Sequence, residues 1–145
     1  MKVILQRVTG ASVEVDGKTV SSIEKGYLIL LGIGADDTKE QIDKMVDKIR
    51  KLRIFPDENG KTNLSIEDIN GEILVVSQFT LYADCRKGNR PNFTQAGSPA
   101  LAEELYDYFI ETSKGKFKKV NHGLFGEHMH VTLVNDGPFT VILEL

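Results

Sequence analysis

Tryptophan is absent from this chain, cysteine occurs once, and only three histidines are spread through its 145 residues. A lone cysteine, Cys85, builds no internal disulfide framework and suits a reducing compartment. The Asn-x-Ser/Thr sequons at 63–65 and 92–94 then carry no glycan, and a cytoplasmic location is expected. Long apolar runs are missing as well. The opening MKVILQRV reaches Gln6 and Arg7 too soon to be a secretion-signal core or a membrane span. Basic charge is not in excess: 18 Lys and Arg against 21 Asp and Glu leave a net charge of −3. A protein that grips long nucleic acid through many phosphates normally carries a basic face or excess, so any polyanion contact here must be local. CRKGNR (85–90) and KGKFKK (114–119) are the candidate stretches, although each by itself reads as a solvated loop. Repeats, low-complexity tracts and linkers are also missing, which predicts one domain over 1–145.

What is present predicts an α/β domain. KVILQRVTGASVEVDGKTVSSI alternates in polarity about Gly10 and about Asp16-Gly17, a pair that tolerates positive φ in a tight hairpin. GYLILLGIG (26–34) is apolar throughout and suits a central strand. Thr38 and Gln41 form a capping box for a helix whose Ile42, Met45, Val46, Ile49 and Leu52 share a face. Ser98 caps a second helix with Pro99 in its first turn, Gly115 at its end, and Leu101, Leu105, Tyr108 and Phe109 as its buried stripe. The C-terminal HMHVTLVNDGPFTVILEL predicts two strand segments broken at NDGP. The expected architecture is a largely antiparallel sheet, barrel-like in its layers, covered by about two helices and without the strand–helix alternation of a doubly wound fold.

Several stretches invite a chemical reading. GIGADD places Gly32-x-Gly34 between a strand and a helix, but Asp37 stands where a dinucleotide fold has its third glycine, and Asp36-Asp37 would repel a pyrophosphate. A strand-to-helix turn is the better reading. His128 and His130 are spaced to share one face of a strand, and with His122 they make a zinc site conceivable, yet no acidic second shell accompanies them. Cys85 has Arg86 and Lys87 beside it to favour a thiolate, but a loop cysteine without function is the simpler account. No metal or cofactor is therefore expected.

EILVVSQFTLYAD (72–84) runs an apolar strand directly into Ser77, Gln78 and Thr80, with no histidine nearby in the chain to act as base. In a continuing strand, Ser77 and Phe79 would face one way, Gln78 and Thr80 the other. NDGPFT (135–140) interrupts another strand with a Gly-Pro pair; a cis Gly-Pro would set two carbonyls side by side to accept hydrogen bonds from a small ammonium group.

Taken together, SQFTLYAD and NDGPFT, with MKVILQRV, RKGNRP, LAEELYDYFI and FGEHMHVTLVNDGP, closely resemble the D-aminoacyl-tRNA deacylases, also called D-tyrosyl-tRNA deacylases, over essentially the whole chain. Cys85, Asn92 and Phe139 stand at positions where that family varies. The resemblance implies a homodimeric, cytoplasmic hydrolase of the ester between a D-amino acid and the 3′-terminal adenosine of tRNA. Glycyl-tRNA, including glycine mischarged on tRNA-Ala, is implied as a further substrate. It implies that Ser77, Gln78, Phe79 and Thr80 form the catalytic pocket. It also implies that Gly137 and Pro138 are a cis pair entering the partner subunit's pocket, that Arg7 steadies the pair, and that Met129 lies near the adenine. Asn135 and Thr140 complete the implied selectivity segment.

An aminoacyl ester is already activated, so backbone N–H groups around Gln78–Thr80 and the substrate's 2′-hydroxyl make a protein base dispensable on this reading. Side-chain hydroxyls then position the substrate, with Thr80 or Ser77 as covalent nucleophile the rival scheme. Rejection of L-amino acids is expected from collision with the Gly137-Pro138 main chain. Arg86, Lys87, Arg90 and the 114–119 lysines are expected to steer the acceptor stem. The alternative from another class is a non-catalytic nucleic-acid-binding module with an adenosine pocket.

Overall fold

A computed structural model describes all residues, 1–145. Its spine is β1 (Lys2–Val15), which turns back through Asp16 and Gly17 into β2 (Lys18–Ile23) and continues into β3 (Gly26–Gly32). The turn residues have φ of 49° and 76°, the left-handed values that the Asp-Gly pair was expected to supply. Next come α1 (Lys39–Lys51), a small hairpin of β4 (Arg53–Pro56) and β5 (Thr62–Ser65), and β6 (Glu72–Ser77). A single 3₁₀ turn (Phe79–Tyr82), α2 (Pro99–Ser113), β7 (Lys119–His122) and β8 (His130–Glu144) complete the chain.

Lys2–Val8 of β1 pairs with β3 and Ala11–Val15 with β2, while β8 runs antiparallel along the opposite edge of β1. The other wing is parallel: β3 pairs with β6, and β6 with β7. The expectation of a largely antiparallel sheet therefore holds only for the β1 wing. The apolar segment 73–76 is buried on both faces, as in parallel strands, so its lack of alternation was the available signal. Side chains nearly close the sheet into a barrel. Lys119 Nζ and Asn121 Nδ2 donate to Ser22 O (3.1 and 2.7 Å), and Ser21 Oγ donates to His122 O (2.9 Å), joining β7 to β2.

Alternation along the central strands sends Val3, Leu5, Tyr27, Ile29, Ile73 and Val75 to the helix-covered core. Val8, Ala11, Val13, Leu28, Leu74 and Val76 go to a second, smaller cluster. Burial of Val8 and then Ala11 on that same face reverses the parity of β1, where the ladder shifts between Val8 and Gly10. Helix α1 begins with the expected capping box, Gln41 N–H donating to Thr38 Oγ1 and Thr38 N–H to Gln41 Oε1. It buries Ile42, Met45, Val46 and Ile49. Ser98 caps α2 as expected, but the buried stripe is rotated: Ala102, Leu105, Tyr106, Phe109 and Ile110 are buried, while Tyr108 is half-buried and reaches Asp43.

The GIGADD turn has a structural explanation. Asp37 pairs with the N-terminal ammonium (2.6 Å) and accepts from Gly34 N–H (2.6 Å), so its carboxylate pins the chain start to this turn. No helix is long and apolar enough to cross a membrane.

Candidate active site

Strand β6 ends at Ser77 because the chain there stops pairing and folds into the 3₁₀ turn. Gln78, at φ −143° and ψ 79°, is the pivot, and its N–H donates to Leu31 O (2.9 Å) at the end of β3. Gly32 leaves space for this turn: a Cβ there would meet Gln78 O and Leu81 Cβ, each at 3.1 Å. The expected two-sided strand display of Ser77 to Thr80 is thus corrected, since Phe79 and Thr80 lie on the turn. Gln78 N–H is also already committed, so the N–H groups that a 3₁₀ turn leaves without an internal partner are those that lead it, of Phe79 and Thr80. The side chains of Gln78 and Thr80 hydrogen-bond each other, Nε2 to Oγ1.

Ser77, Gln78 and Phe79 open into a cavity of about 590 Å³. Its far walls come from the loop before α2 (Phe93, Ala96, Gly97), from the first turns of α2 (Pro99, Ala102), and from the segment between β7 and β8 (Phe125 to Met129). Phe79, 55% exposed, meets Phe93 edge-on with ring centroids 5.0 Å apart. Met129 reaches the same wall across Gly123, where a Cβ would stand 2.5 Å from its sulfur. Behind the wall, the buried Tyr106 hydroxyl donates to Val75 O (2.9 Å) and Gly123 O (3.3 Å), tying β6 to the 123–126 segment. Burial is the larger influence on that phenol and pushes its pKa well above the ordinary value. No lysine or arginine lines the cavity; its ionisable residues are Glu127 and His128.

The second implied segment lies elsewhere. The β1–β8 ladder passes from Val8↔Asn135 to Gln6↔Thr140, so Asp136 to Phe139 bulge out opposite Arg7 alone. One strand thus spans the expected break, with the ladder interrupted where NDGP predicted it. Asn135 laces the bulge: its Nδ2 donates to Arg7 O and Phe139 O, and its Oδ1 accepts from Phe139 N–H, each at 3.0 Å. Arg7 donates through Nε to Asp136 O (2.8 Å) and through Nη1 to Ile54 O (2.7 Å), with its guanidinium 4.6 Å from the centre of the Phe139 ring. Thr140 resumes the ladder and accepts from Gln6 Nε2 (3.3 Å). Gly137 and Pro138, joined by a cis peptide, stand exposed at the tip. A Cβ at Gly137 would collide with Phe139 N, so the tip accommodates only a bare backbone. Within one chain, Ser77, Gln78, Phe79 and Met129 share a cavity, whereas Arg7, Asn135, Gly137, Pro138 and Thr140 form a separate brace.

The other candidates take structural roles. His122 Nδ1 is bonded to Gly123 O, away from His128 and His130. The 114–119 lysines are partnered: Lys114 with Glu111, Lys116 with Asp47 and Lys118 with Glu72. Arg86, exposed, pairs with Asp84 and holds that carboxyl below its usual range. Cavity walls from Phe93, Ala96, Phe125 and His128 were missed by reasoning from SQFT alone. Their signal lay in the RKGNRP and FGEHMHV segments that flank them.

A mixed sheet curled almost into a barrel, with an apolar, ligand-sized cavity where a strand breaks into a turn, defines a small α/β domain with a candidate binding pocket. Comparison with known proteins identifies its kind. Residues 4–144 match the family model described as D-Tyr-tRNA(Tyr) deacylase. A D-aminoacyl-tRNA deacylase of Thermosipho africanus is 56% identical over 144 residues, 99% of this chain and 97% of that one. One from Clostridioides difficile is 53% identical over the same shares of the two chains. Among solved structures, a c-Myc DNA unwinding element binding protein superposes with a TM-score of 0.94 at 44% identity, covering 100% of this chain and 99% of that one. A probable eukaryotic D-amino acid tRNA deacylase shares the fold at 19% identity and a TM-score of 0.88, covering 99% and 98%. The chain belongs to the D-Tyr-tRNA(Tyr) deacylase family.

Proposed function

We propose that this protein hydrolyses the ester joining a D-amino acid to the 3′-terminal adenosine of tRNA, releasing both for reuse. The observation that carries the reading is the cavity at the end of β6, where Ser77, Gln78 and Phe79 meet Met129 in a chain of this family. The adenosine and aminoacyl group occupy the cavity, with the ester carbonyl over the turn. Phe79 and Thr80 N–H groups stabilise the oxyanion, a contribution worth about 3–4 kcal/mol in comparable sites. The 2′-hydroxyl of the substrate orients the attacking water. Thr80 and Ser77 are assigned as positioning groups: the group bonded to Thr80 is the Gln78 amide, which is no base in either orientation and does not take its hydroxyl proton.

Selectivity is assigned to Gly137-Pro138. A side-chain-free tip braced by Arg7 and Asn135 rejects an L side chain by collision and leaves the small D-facing space open. Each tenfold of discrimination requires about 1.4 kcal/mol in the transition state, and collision supplies it for any amino acid. Glycine, with no side chain to exclude, is cleaved too. The tip lines no wall of its own chain's cavity, and we assign it to that of a second copy. The outer edge of β8 is unpaired along its length and exposes Val134 (61%) and Ile142 (66%), which supports a homodimer formed along that strand.

Purified protein incubated with D-Tyr-tRNA should release D-tyrosine and leave L-Tyr-tRNA intact, and a Thr80→Ala/Gly137→Ala variant should be inactive. No release by the wild type would remove the reading. An acyl-enzyme trapped during turnover would favour the covalent scheme instead. The likeness to a DNA unwinding element binding protein favours a second reading, a non-catalytic nucleic-acid module. Duplex or single-strand DNA binding without D-tyrosine release would select it.

A further inference from the structure

We propose that His128, oriented by His130, is a protonation-dependent contact for the phosphodiester that leads into the terminal adenosine of the tRNA substrate. The inference rests on the cavity being the aminoacyl-adenosine site. A bound 3′ end must leave the cavity where it opens to solvent, and the phosphate preceding the last nucleoside then lies at that rim. Such a phosphate ordinarily meets lysine or arginine, yet neither lines this cavity. Among the basic residues of the neighbouring loops, Arg86 pairs with Asp84, and Lys114, Lys116 and Lys118 with acids of their own surroundings, while Lys87 and Arg90 stand exposed on the loop before Phe93 and line no part of the cavity. His128 is the one wall residue able to become cationic. Its ring is solvent-exposed and meets the His130 ring perpendicularly, with centroids 5.2 Å apart.

The charged groups facing the pair are few. Glu127 is its sequence neighbour on the cavity wall, and Glu14 of β1 is the register partner of His130. Ser77, Gln78 and Phe79 on the opposite wall carry no charge. An imidazolium attracts a phosphate and a neutral imidazole does not, so the contact strengthens as the solution is acidified. His130 is a positioning residue: it holds the His128 ring edge-on and need not touch the phosphate.

The test compares D-Tyr-tRNA with D-tyrosyl-adenosine, which has the same ester and ammonium but no phosphate, at pH 6 and pH 8. For wild-type protein, KM for the tRNA should rise roughly 3- to 10-fold from pH 6 to pH 8, the scale of one exposed charge contact. KM for the nucleoside ester should follow only the shared ammonium. His128→Gln should raise KM for the tRNA at pH 6 and leave kcat unchanged, and His128→Arg should keep KM low at both values. His130→Gln should give a smaller rise of the same kind. Equal effects on both substrates, or a fall in kcat with KM constant, would overturn the proposal by moving His128 to the reacting bond or to the fold. Cleavage of neither substrate by wild-type protein would instead remove the underlying assignment of the cavity.

Discussion

The two wings of the sheet prepare their functional groups in opposite ways. On the parallel wing, β6 delivers Ser77 and Gln78 into a cavity whose walls all come from the same chain. On the antiparallel wing, the 136–139 bulge is braced from behind by Arg7 and Asn135 but presents its tip to solvent. The first region is walled by its own chain; the second is held rigid with its tip exposed. The difference teaches that rigidity and contact are built separately here. Bonds that fix a backbone tip can all lie on the side away from whatever the tip will meet.

Removing the brace should therefore have the largest effect while sparing the cavity. The Arg7 side chain is only 11% exposed and serves two carbonyls that lie in different directions. Arg7→Ala leaves both short of a donor and uncovers the Phe139 ring, a loss of about 3 kcal/mol in unfolding free energy. Arg7→Lys should recover only part of it, because an ammonium lacks the planar fork that reaches Asp136 O and Ile54 O together. Urea titration of the three proteins checks the order. Full recovery by lysine would mean the charge, not the fork, holds the bulge. Adenosine binding in the cavity should survive Arg7→Ala, and its loss would show that the two wings are not independent.

A smaller effect is expected on the cavity wing. Tyr106→Phe deletes the hydroxyl that joins Val75 O to Gly123 O but leaves the ring packed against Phe125, whose centroid is 5.8 Å away. Val75 O also accepts Gly123 N–H (2.9 Å), so the seam is weakened rather than opened. About 1 kcal/mol should be lost, lowering Tm by roughly 3 °C for a domain of this size. KM should rise before kcat falls, since Phe125 and Gly126 on the wall are displaced and the turn at Phe79 is not. A kcat defect with normal KM would place Tyr106 behind the reacting turn instead.

Local chemistry made the caps and turns legible: Thr38 with Gln41, Ser98, and Asp16-Gly17 all act through neighbours a few residues away. Helical periodicity placed α1 correctly, but misjudged α2. Tyr106 carries a polar tip that finds partners only when β6 and the 123 segment arrive from elsewhere in the chain. For β6 the unbroken apolar run 73–76 marks a strand buried on both faces, but it does not say that β3 and β7 are the partners. At the site, SQFT and NDGPFT were legible as a pair only through family resemblance. Their physical content differs from a sequence-only picture: Gln78 N–H is taken by Leu31 O, and Asp37 of GIGADD binds the chain's own ammonium. Such long-range partners leave no local mark.

The seam that nearly closes the barrel supplies the smallest expected effect, and it belongs to neither wing alone. Glu72, at the start of β6, is buried; burial raises its carboxyl pKa, but the Glu24 N–H (2.9 Å) and Lys118 (3.1 Å) outweigh that and hold it below the usual 4.5. A carboxyl depressed in the folded state adds stability above its ordinary pKa and forfeits it as pH falls through the folded value. Unfolding free energy should therefore drop as the solution is acidified from roughly pH 5 toward pH 3. Glu72→Gln should flatten part of that slope and lower stability modestly at neutral pH, where Lys118 loses its partner. Lys118→Met should flatten it less, because the Glu24 N–H remains. An acid limb identical in Glu72→Gln and wild type would assign the slope to the exposed carboxylates, such as Asp57 and Asp68, whose pKa values are also lowered by backbone N–H bonds. The contact of the 24–25 turn with β6 at this corner would then owe its strength to the Glu72 N–H bond to Lys25 O (3.0 Å), which no side-chain substitution at position 72 removes.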